Sequence, residues 1–233
     1  MKPAIAICFF LTLYLFSAAQ QTEKIAVPDG GNIADGLTFD KVYRYPQFTI
    51  GRVFFKDETS ATGLLNYNTI LDEMQFVAAS GDTLALANEH LIKYITLGSD
   101  SFYYSKGYFE LVTSNSIARL VKKQYLKQLD KEKIGGYGMA TASSAITTYN
   151  SYMADNHYFK LTVRGDVILA KKTDYFLANQ NNQFLPANKK SVIKLFPKYE
   201  KAISQYINEN EVDFTREADL RKLMLFLQHT AQM

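Results

Sequence analysis

The sequence predicts an α+β domain in which a curved antiparallel sheet, or a partly open barrel, carries two to three helices at its C-terminal end. Two observations predict this class. Short apolar stretches with alternating polar residues follow one another from residue 47 to residue 126, and turn-forming residues separate them. After Asn188 the apolar spacing changes to the helical period. Strands followed by helices are the order typical of α+β proteins.

The first segment, 1–19, predicts a signal peptide. Lys2 precedes an apolar run, and Ser17 and Ala19 occupy the −3 and −1 positions of a small-residue cleavage site. The run is shorter than the ~20 residues that span a bilayer, and no later stretch approaches that length. We therefore expect export to the periplasm or the cell exterior, with no integral membrane segment after cleavage.

The rest of the chain divides into a short leader and one domain. Segment 20–36 contains "VPDGGNIADG" and predicts an extended leader. Residues 37–233 predict a single β-rich domain with a helical part at 188–230. The single cysteine, Cys8, lies within the predicted signal peptide. We therefore expect the domain to be held by its apolar core without disulfides.

The apolar stretches predict eight strands joined as an antiparallel meander. Turn residues stand between them, as in "DETSAT", "SGD", "GSD" and "SKG". Phe48, Ile50 and Phe54 alternate with Val53 and Phe55, so the first strand is expected to be covered on both faces. The last stretch, 116–126, predicts a half-exposed strand, and a helix is the competing interpretation. The predicted strands are 47–56, 63–68, 71–78, 83–86, 91–97, 101–104, 107–113 and 116–126.

A second sheet region is predicted at 158–164 and 167–177. The tripeptide "RGD" joins these two strands, and we interpret it as a hairpin connection rather than a receptor ligand. Between the two sheet regions, 135–152 is rich in Gly, Ser, Thr and Ala and nearly uncharged. It predicts a long surface loop, with a disordered excursion as the alternative.

This loop is the predicted ligand-binding site, because loops carry function more often than the scaffold that positions them. Its aromatic residues have no periodic strand to pack into, and its glycines would let it move over a ligand. The predicted site residues are Tyr137, Tyr149, Tyr152 and His157.

Capping residues mark the predicted helices. Asn188 can cap a short helix, and Pro197 suits the first turn of the next one. Thr215 can cap a last helix, and acidic residues near the start of that helix suit its dipole.

Four stretches of the chain are "GLTFDKVY", "LNYNTILDEMQF", "GDTLALA" and "KLFPKYEKAISQYINENEVDF". They resemble members of a family of exported bacterial β-rich proteins that has no established activity. The resemblance covers most of the chain beyond the signal peptide. It implies export and a common fold, and it assigns no catalytic or binding residue.

Composition and motifs exclude several functions. The 26 basic residues nearly balance the 23 acidic ones, which argues against nucleic-acid binding. The three histidines lie far apart, so no metal site is expected. No phosphate-binding loop or dinucleotide fingerprint is present, and no cofactor is expected. Asp155 and His157 could act on a loop serine, but no nucleophile-elbow pattern accompanies them.

The function expected from these observations is that of an exported, non-enzymatic binding or envelope-associated module. Its ligand could be a small molecule, a glycan or a lipid, and its oligomeric state is left open. The cluster "FYYSKGYF", at 102–109, could present an aromatic platform to a sugar or lipid. The alternative is a hydrolase acting on envelope or extracellular glycans, which requires two carboxylates across a cleft. Asp72 and Glu73 are not such a pair, because adjacent strand residues point to opposite faces.

Overall fold

The computed structural model describes residues 24–27, 37–129, 133–134, 140–141, 167–179 and 183–232. The predicted signal peptide, the predicted strand at 158–164 and the "RGD" tripeptide lie outside these residues. Most of the predicted leader and most of the predicted loop 135–152 also lie outside them.

The secondary structure follows the predicted order of strands and then helices. The strands are β1 Lys24–Val27, β2 Thr49–Phe55, β3 Ser60–Asn68, β4 Glu73–Val77, β5 Thr83–Ala85, β6 Ile92–Leu97, β7 Asp100–Tyr104, β8 Tyr108–Ser114, β9 Arg119–Leu129, β10 Lys133–Ile134, β11 Ala140–Thr141, β12 Val167–Ala178 and β13 Phe184–Pro186. The helices are α1 Phe39–Val42, α2 Lys189–Leu195, α3 Glu200–Glu209 and α4 Glu217–Gln232.

Ten strands form one open antiparallel sheet in the order β1-β12-β9-β8-β7-β6-β2-β3-β4-β5. β13 pairs with the second half of β12, and β10 and β11 form a separate hairpin. The α+β class is thereby confirmed, with a sheet that does not close into a barrel. Lys24–Val27, within the predicted leader, forms the strand that pairs with the first half of β12.

The meander prediction holds for most of the sheet and fails at one point. β6 pairs with β2 instead of following β5, so β2 lies between β3 and β6. The predicted strand at 116–126 is confirmed as β9, which pairs with β8 and β12 and is not a helix.

Two hydrophobic cores lie on the same face of the sheet, which we call the core face. A row of residues in register across seven strands runs Ala61, Val53, Ile95, Phe102, Glu110, Lys122 and Tyr175. The first core lies at the β2–β8 end of this row and includes Val53, Ile95 and Phe102. The second core includes Tyr175 at the other end. Glu110 and Lys122 therefore stand between the two cores.

Helices α2, α3 and α4 close the second core. Ile203, Leu220 and Leu223 pack with Leu120 and Leu177 of the sheet. Their apolar spacing is the helical one, so one stripe of each helix meets the sheet.

The structure tests the two predicted caps separately. The predicted cap at Asn188 is confirmed, because its Oδ1 accepts a hydrogen bond from Ser191 N at 2.9 Å. The cap predicted at Thr215 is wrong, since its hydroxyl donates to Asp213 Oδ1 at 2.7 Å.

The faces of β2 and β9 differ from the prediction. Val53 is buried but Ile50 is 70% exposed, so β2 is covered on the core face alone. The reason is that Val53 packs in the first core, against which Tyr45 also packs. β9 is buried on both faces near its start, where Leu120 meets the helices and Val121 pairs with Phe176.

Candidate functional site

Three aromatic rings lie side by side on the face opposite the two cores, which we call the outer face. Phe54 and Tyr94 are in register on β2 and β6, and Tyr103 follows on β7. Each is adjacent in sequence to a core residue, and side chains alternate along a strand, so the three rings point away from the cores. We call Phe54, Tyr94 and Tyr103 the aromatic row.

The rings of the aromatic row are in contact and half-buried. The Phe54 and Tyr94 rings stack with centroids 4.5 Å apart, and the Tyr94 and Tyr103 centroids are 6.2 Å apart. The Arg52 guanidinium lies 5.8 Å from the Phe54 centroid, and that of Arg119 lies 4.6 Å from the Tyr103 centroid. Both distances are within the range of cation–π attraction. The row is therefore an apolar strip with a positive charge at each end.

Exposed aliphatic side chains lie on the same face of β2 and β3, beyond Arg52. Ile50 is 70% exposed and Leu64, its partner in register, is 44% exposed. On the other side, Phe109 follows Tyr103 in register but is buried beneath Phe184, whose ring is stacked on it at 4.5 Å. The accessible part of the aromatic surface therefore runs from Phe54 to Tyr103.

A charge cluster on the core face separates the two cores. Arg44 donates to both oxygens of Glu110, from Nε to Oε2 at 2.8 Å and from Nη2 to Oε1 at 3.0 Å. Lys122 Nζ lies 2.9 Å from Glu110 Oε1. Arg44 Nη2 also lies 3.9 Å from Asp100 Oδ2, which accepts a hydrogen bond from Tyr45. We call Arg44, Asp100, Glu110 and Lys122 the charge cluster.

Glu110 of the charge cluster is not suited to be the proton donor that a glycosidase needs. Glu110 and Asp100 share Arg44, so they lie close enough together for a catalytic pair. A general acid, however, must be protonated at working pH, which requires a raised pKa. Burial opposes ionisation of Glu110, but hydrogen bonds from Arg44 and Lys122 outweigh it and hold its pKa below the usual value.

Asp72 has a structural role that sequence reasoning did not assign. Its Oδ1 accepts hydrogen bonds from Tyr67 Oη at 2.7 Å and from Tyr108 N at 3.0 Å. Its Oδ2 accepts a hydrogen bond from Lys123 Nζ at 2.6 Å. A side chain at Gly107 would collide with this carboxylate, and Gly107 has a φ of 118°. Asp72 therefore joins the start of β4 to the β7–β8 turn and to β9.

The predicted site residues Tyr137, Tyr149, Tyr152 and His157 lie outside the described residues, as does Asp155. Their role stays a prediction. Ala140–Thr141, inside the predicted loop, forms β11 and pairs with β10.

The predicted platform at 102–109 is divided between the two faces. Tyr103 contributes to the aromatic row, whereas Phe102 and Tyr108 belong to the first core. Phe54 is missed as a neighbour of Tyr103 because the sequence does not indicate that β2 pairs with β6. Tyr94 lies on the strand predicted to be next to that of Tyr103, but the sequence does not show which face of these strands is left uncovered. Their only signal is the alternation that places Phe54 opposite Val53.

One cleft of about 250 Å³ lies between the end of β8 and α4, and Asn115 and Leu225 are among the residues that line it. This volume is below the roughly 300–1,000 Å³ of typical small-molecule pockets. Among the residues that the structure describes, no group of three or more His, Cys, Asp or Glu side chains could hold a metal ion. The described helices include none with the length and apolarity needed to cross a membrane.

No family model matches the chain, and no curated protein or solved structure was found to be similar to it. A functional proposal for this protein therefore rests on its own residues and their geometry.

Proposed function

We propose that the protein is an exported, non-enzymatic binding module that holds a glycan on its aromatic row. The observation that carries the proposal is the alignment of Phe54, Tyr94 and Tyr103, half-buried and in contact, on the outer face of the sheet. Sugar rings have apolar faces that stack on aromatic rings, and their hydroxyl groups bond to polar neighbours. Tyrosine offers both a flat apolar ring and a polar tip.

A glycan fits this surface better than a lipid does. An acyl chain is best held in an enclosed apolar cavity, whereas the aromatic row is an open strip. Arg52 and Arg119 stand at its two ends, where guanidinium groups can donate hydrogen bonds to hydroxyl or carboxylate oxygens. The ligand we propose is therefore an extended saccharide lying across β2, β6 and β7.

Binding is favoured over hydrolysis because the two carboxylates of the charge cluster lie on the opposite face of the sheet from the aromatic row. Glu110 and Asp100 project from the core face and bond to Arg44. The predicted signal peptide supports a location where envelope or extracellular glycans are present.

The test is isothermal titration calorimetry of the chain from Gln20 onward with oligomers of cellulose, chitin and polygalacturonate. We expect at least one of them to bind, and Tyr94→Ala and Tyr103→Ala to weaken that binding about tenfold, equivalent to about 1.4 kcal/mol. The reason is that each variant removes one of the aromatic rings on which the saccharide stacks.

Phe39→Ala is the matched control. Phe39 is 43% exposed and its ring contacts Tyr43 and Phe48, outside the aromatic row. It should bind the same oligomer with the affinity of the unaltered chain. An equal loss in the Phe39 variant, or no binding of any of the three oligomers, would contradict the proposal.

A further inference from the structure

The ten-stranded sheet ends at β5 in an edge that is open to pairing. β5 comprises Thr83–Ala85 and, among the described strands, pairs with β4 alone. Exposed edges pair readily with other chains, and proteins commonly block them with lysine, proline or a bulge. Segment 80–88, "SGDTLALAN", contains no lysine or proline, and β5 meets β4 in continuous register. This edge therefore lacks these barriers to pairing.

The hydrogen bonds between β4 and β5 show which backbone groups face outward. Leu86 N donates to Met74 O at 2.8 Å. Hydrogen-bonded and non-hydrogen-bonded pairs alternate along an antiparallel ladder, so the backbone of Leu84, two residues earlier, also bonds to β4. The N–H and C=O groups of Thr83 and Ala85 therefore point away from β4, and no described residue bonds to them.

Leu84 is the exposed apolar side chain of this edge. It is in register with Phe76, which packs against the first core, so Leu84 projects from the core face. Leu84 is 49% exposed, because no described strand follows β5 in the sheet. Leu86, two residues later, packs against the first core from the same face. A strand added at this edge would cover Leu84 and continue the apolar surface of the first core.

We propose that two copies of the chain pair through β5 as an antiparallel, two-fold symmetric dimer in which Leu84 lies opposite its own counterpart. β5 is centred on Leu84, so full overlap of two copies places this residue on the two-fold axis. The outward groups of Thr83 then bond to those of Ala85 in the second copy. The two leucines form a non-hydrogen-bonded pair, in which side chains approach most closely.

A second copy fits this edge because the segment is complementary to itself. Each copy contributes the same exposed leucine, so both are covered by one contact. Asp82 is the single charged residue of segment 80–88. In the proposed register it lies opposite Leu86 of the second copy, so the two aspartates do not face each other.

The proposed dimer is small and leaves the aromatic row accessible. β5 has three residues, and small interfaces are typical of transient complexes. We therefore expect association at high protein concentration. The aromatic row lies on the outer face of β2, β6 and β7, away from this edge, so dimerisation is independent of glycan binding.

The first test is disulfide capture in the chain from Gln20 onward, which contains no cysteine. Cα atoms in a non-hydrogen-bonded pair are about 4.5 Å apart, a separation that a disulfide can span. Leu84→Cys should therefore form a covalent dimer under mild oxidation. Leu64→Cys is the matched control and should stay monomeric, because Leu64 is 44% exposed but lies on an interior strand. Ala85→Cys should also stay monomeric, since Ala85 lies opposite Thr83.

The second test is sedimentation velocity at increasing protein concentration. The unaltered chain should shift from monomer to dimer. Thr83→Pro should abolish this shift, because it removes an outward N–H without removing a hydrogen bond to β4. Thr83→Val keeps the N–H and should dimerise like the unaltered chain. Leu84→Lys should also abolish the dimer, since it places two positive charges opposite each other.

Three results would overturn the proposal. The first is an unaltered chain that stays monomeric at about 1 mM, where a millimolar dissociation constant would be detected. The second is a dimer that persists in both Thr83→Pro and Leu84→Lys, which would place the contact on another surface. The third is equal disulfide capture of Leu84→Cys and Leu64→Cys. If Thr83→Pro does not fold, as judged by circular dichroism, Leu84→Lys still decides the second result.

Discussion

At the scale of single residues, two glycines that face each other across β2 and β3 have opposite surroundings. Gly51 and Gly63 are in register. A Cβ at Gly51 would lie 2.8 Å from Leu65 Cδ1 and 2.9 Å from Thr96 O, which is a backbone atom that cannot turn away. A Cβ at Gly63 would meet nothing within 4 Å. The first core therefore needs glycine at position 51 but not at position 63.

We expect Gly51→Ala to lower the free energy of unfolding by about 1–3 kcal/mol, because overpacking forces the core to shift. Gly63→Ala should change it by about 0.5 kcal/mol or less, or stabilise slightly by restricting the unfolded chain. Urea unfolding of both variants is the measurement. Equal effects at the two positions would show that the packing around Gly51 is not the cause.

At the scale of elements, α2, α3 and α4 depend on the sheet and the sheet depends on them. α2 and α3 have 7 and 10 residues. Isolated helices of fewer than about 12–15 residues are marginal in water, so tertiary packing must supply the stability of these two. α4 has 16 residues and packs Leu220 and Leu223 into the same core. In return, the helices cover Leu120 and Leu177 on the core face. The helical part is thus an integral part of the fold.

Truncation after Leu185 should abolish the cooperative thermal transition and cause binding of a hydrophobic dye, because the second core becomes exposed. Circular dichroism and dye fluorescence are the measurements. A chain truncated after His229 is the control, since it keeps the last buried leucine, Leu227. If the shorter chain unfolded as cooperatively as this control and at the same temperature, the helices would be an appendage.

At the scale of the whole molecule, the charge cluster joins the two cores. Glu110 is 5% exposed and lies in register between Phe102 of the first core and Lys122, beside Tyr175 of the second. Removing one partner of a buried ion pair leaves the other charge uncompensated. The packing of the two cores on one sheet is therefore linked to the ionisation of Glu110.

The stability of the protein should fall in acid because of Glu110. Its pKa is lower in the folded state than the ordinary value of 4.5, so its contribution is fully present above 4.5. It is lost as the pH falls below 4.5 through the folded-state pKa. Glu110→Gln should cost about 3–5 kcal/mol at pH 7 and should flatten this acid dependence, measured by urea unfolding between pH 7 and pH 3. An unchanged pH profile in the variant would exclude Glu110 as the cause.

The candidate binding surfaces were predictable only in part. Tyr103 lies within the aromatic platform that the sequence predicts. Of its neighbours in the aromatic row, Phe54 precedes it by 49 residues and Tyr94 precedes it by 9 residues. Arg44 and Glu110 are separated by 66 residues, and no spacing rule connects them. Each of these groupings requires the register of several strand pairs, which depends on contacts between distant segments.

The sequence by itself determined the α+β class, the positions of most strands, the cap at Asn188 and the change to helices after it. These features depend on alternation, turn residues and capping, which act over a few neighbouring residues. The tertiary structure decided that β6 pairs with β2, that Ile50 is exposed, and that Arg44 meets Glu110. Alternation divides a strand into two faces, but only the packing of other elements decides which face is covered and which charges meet there.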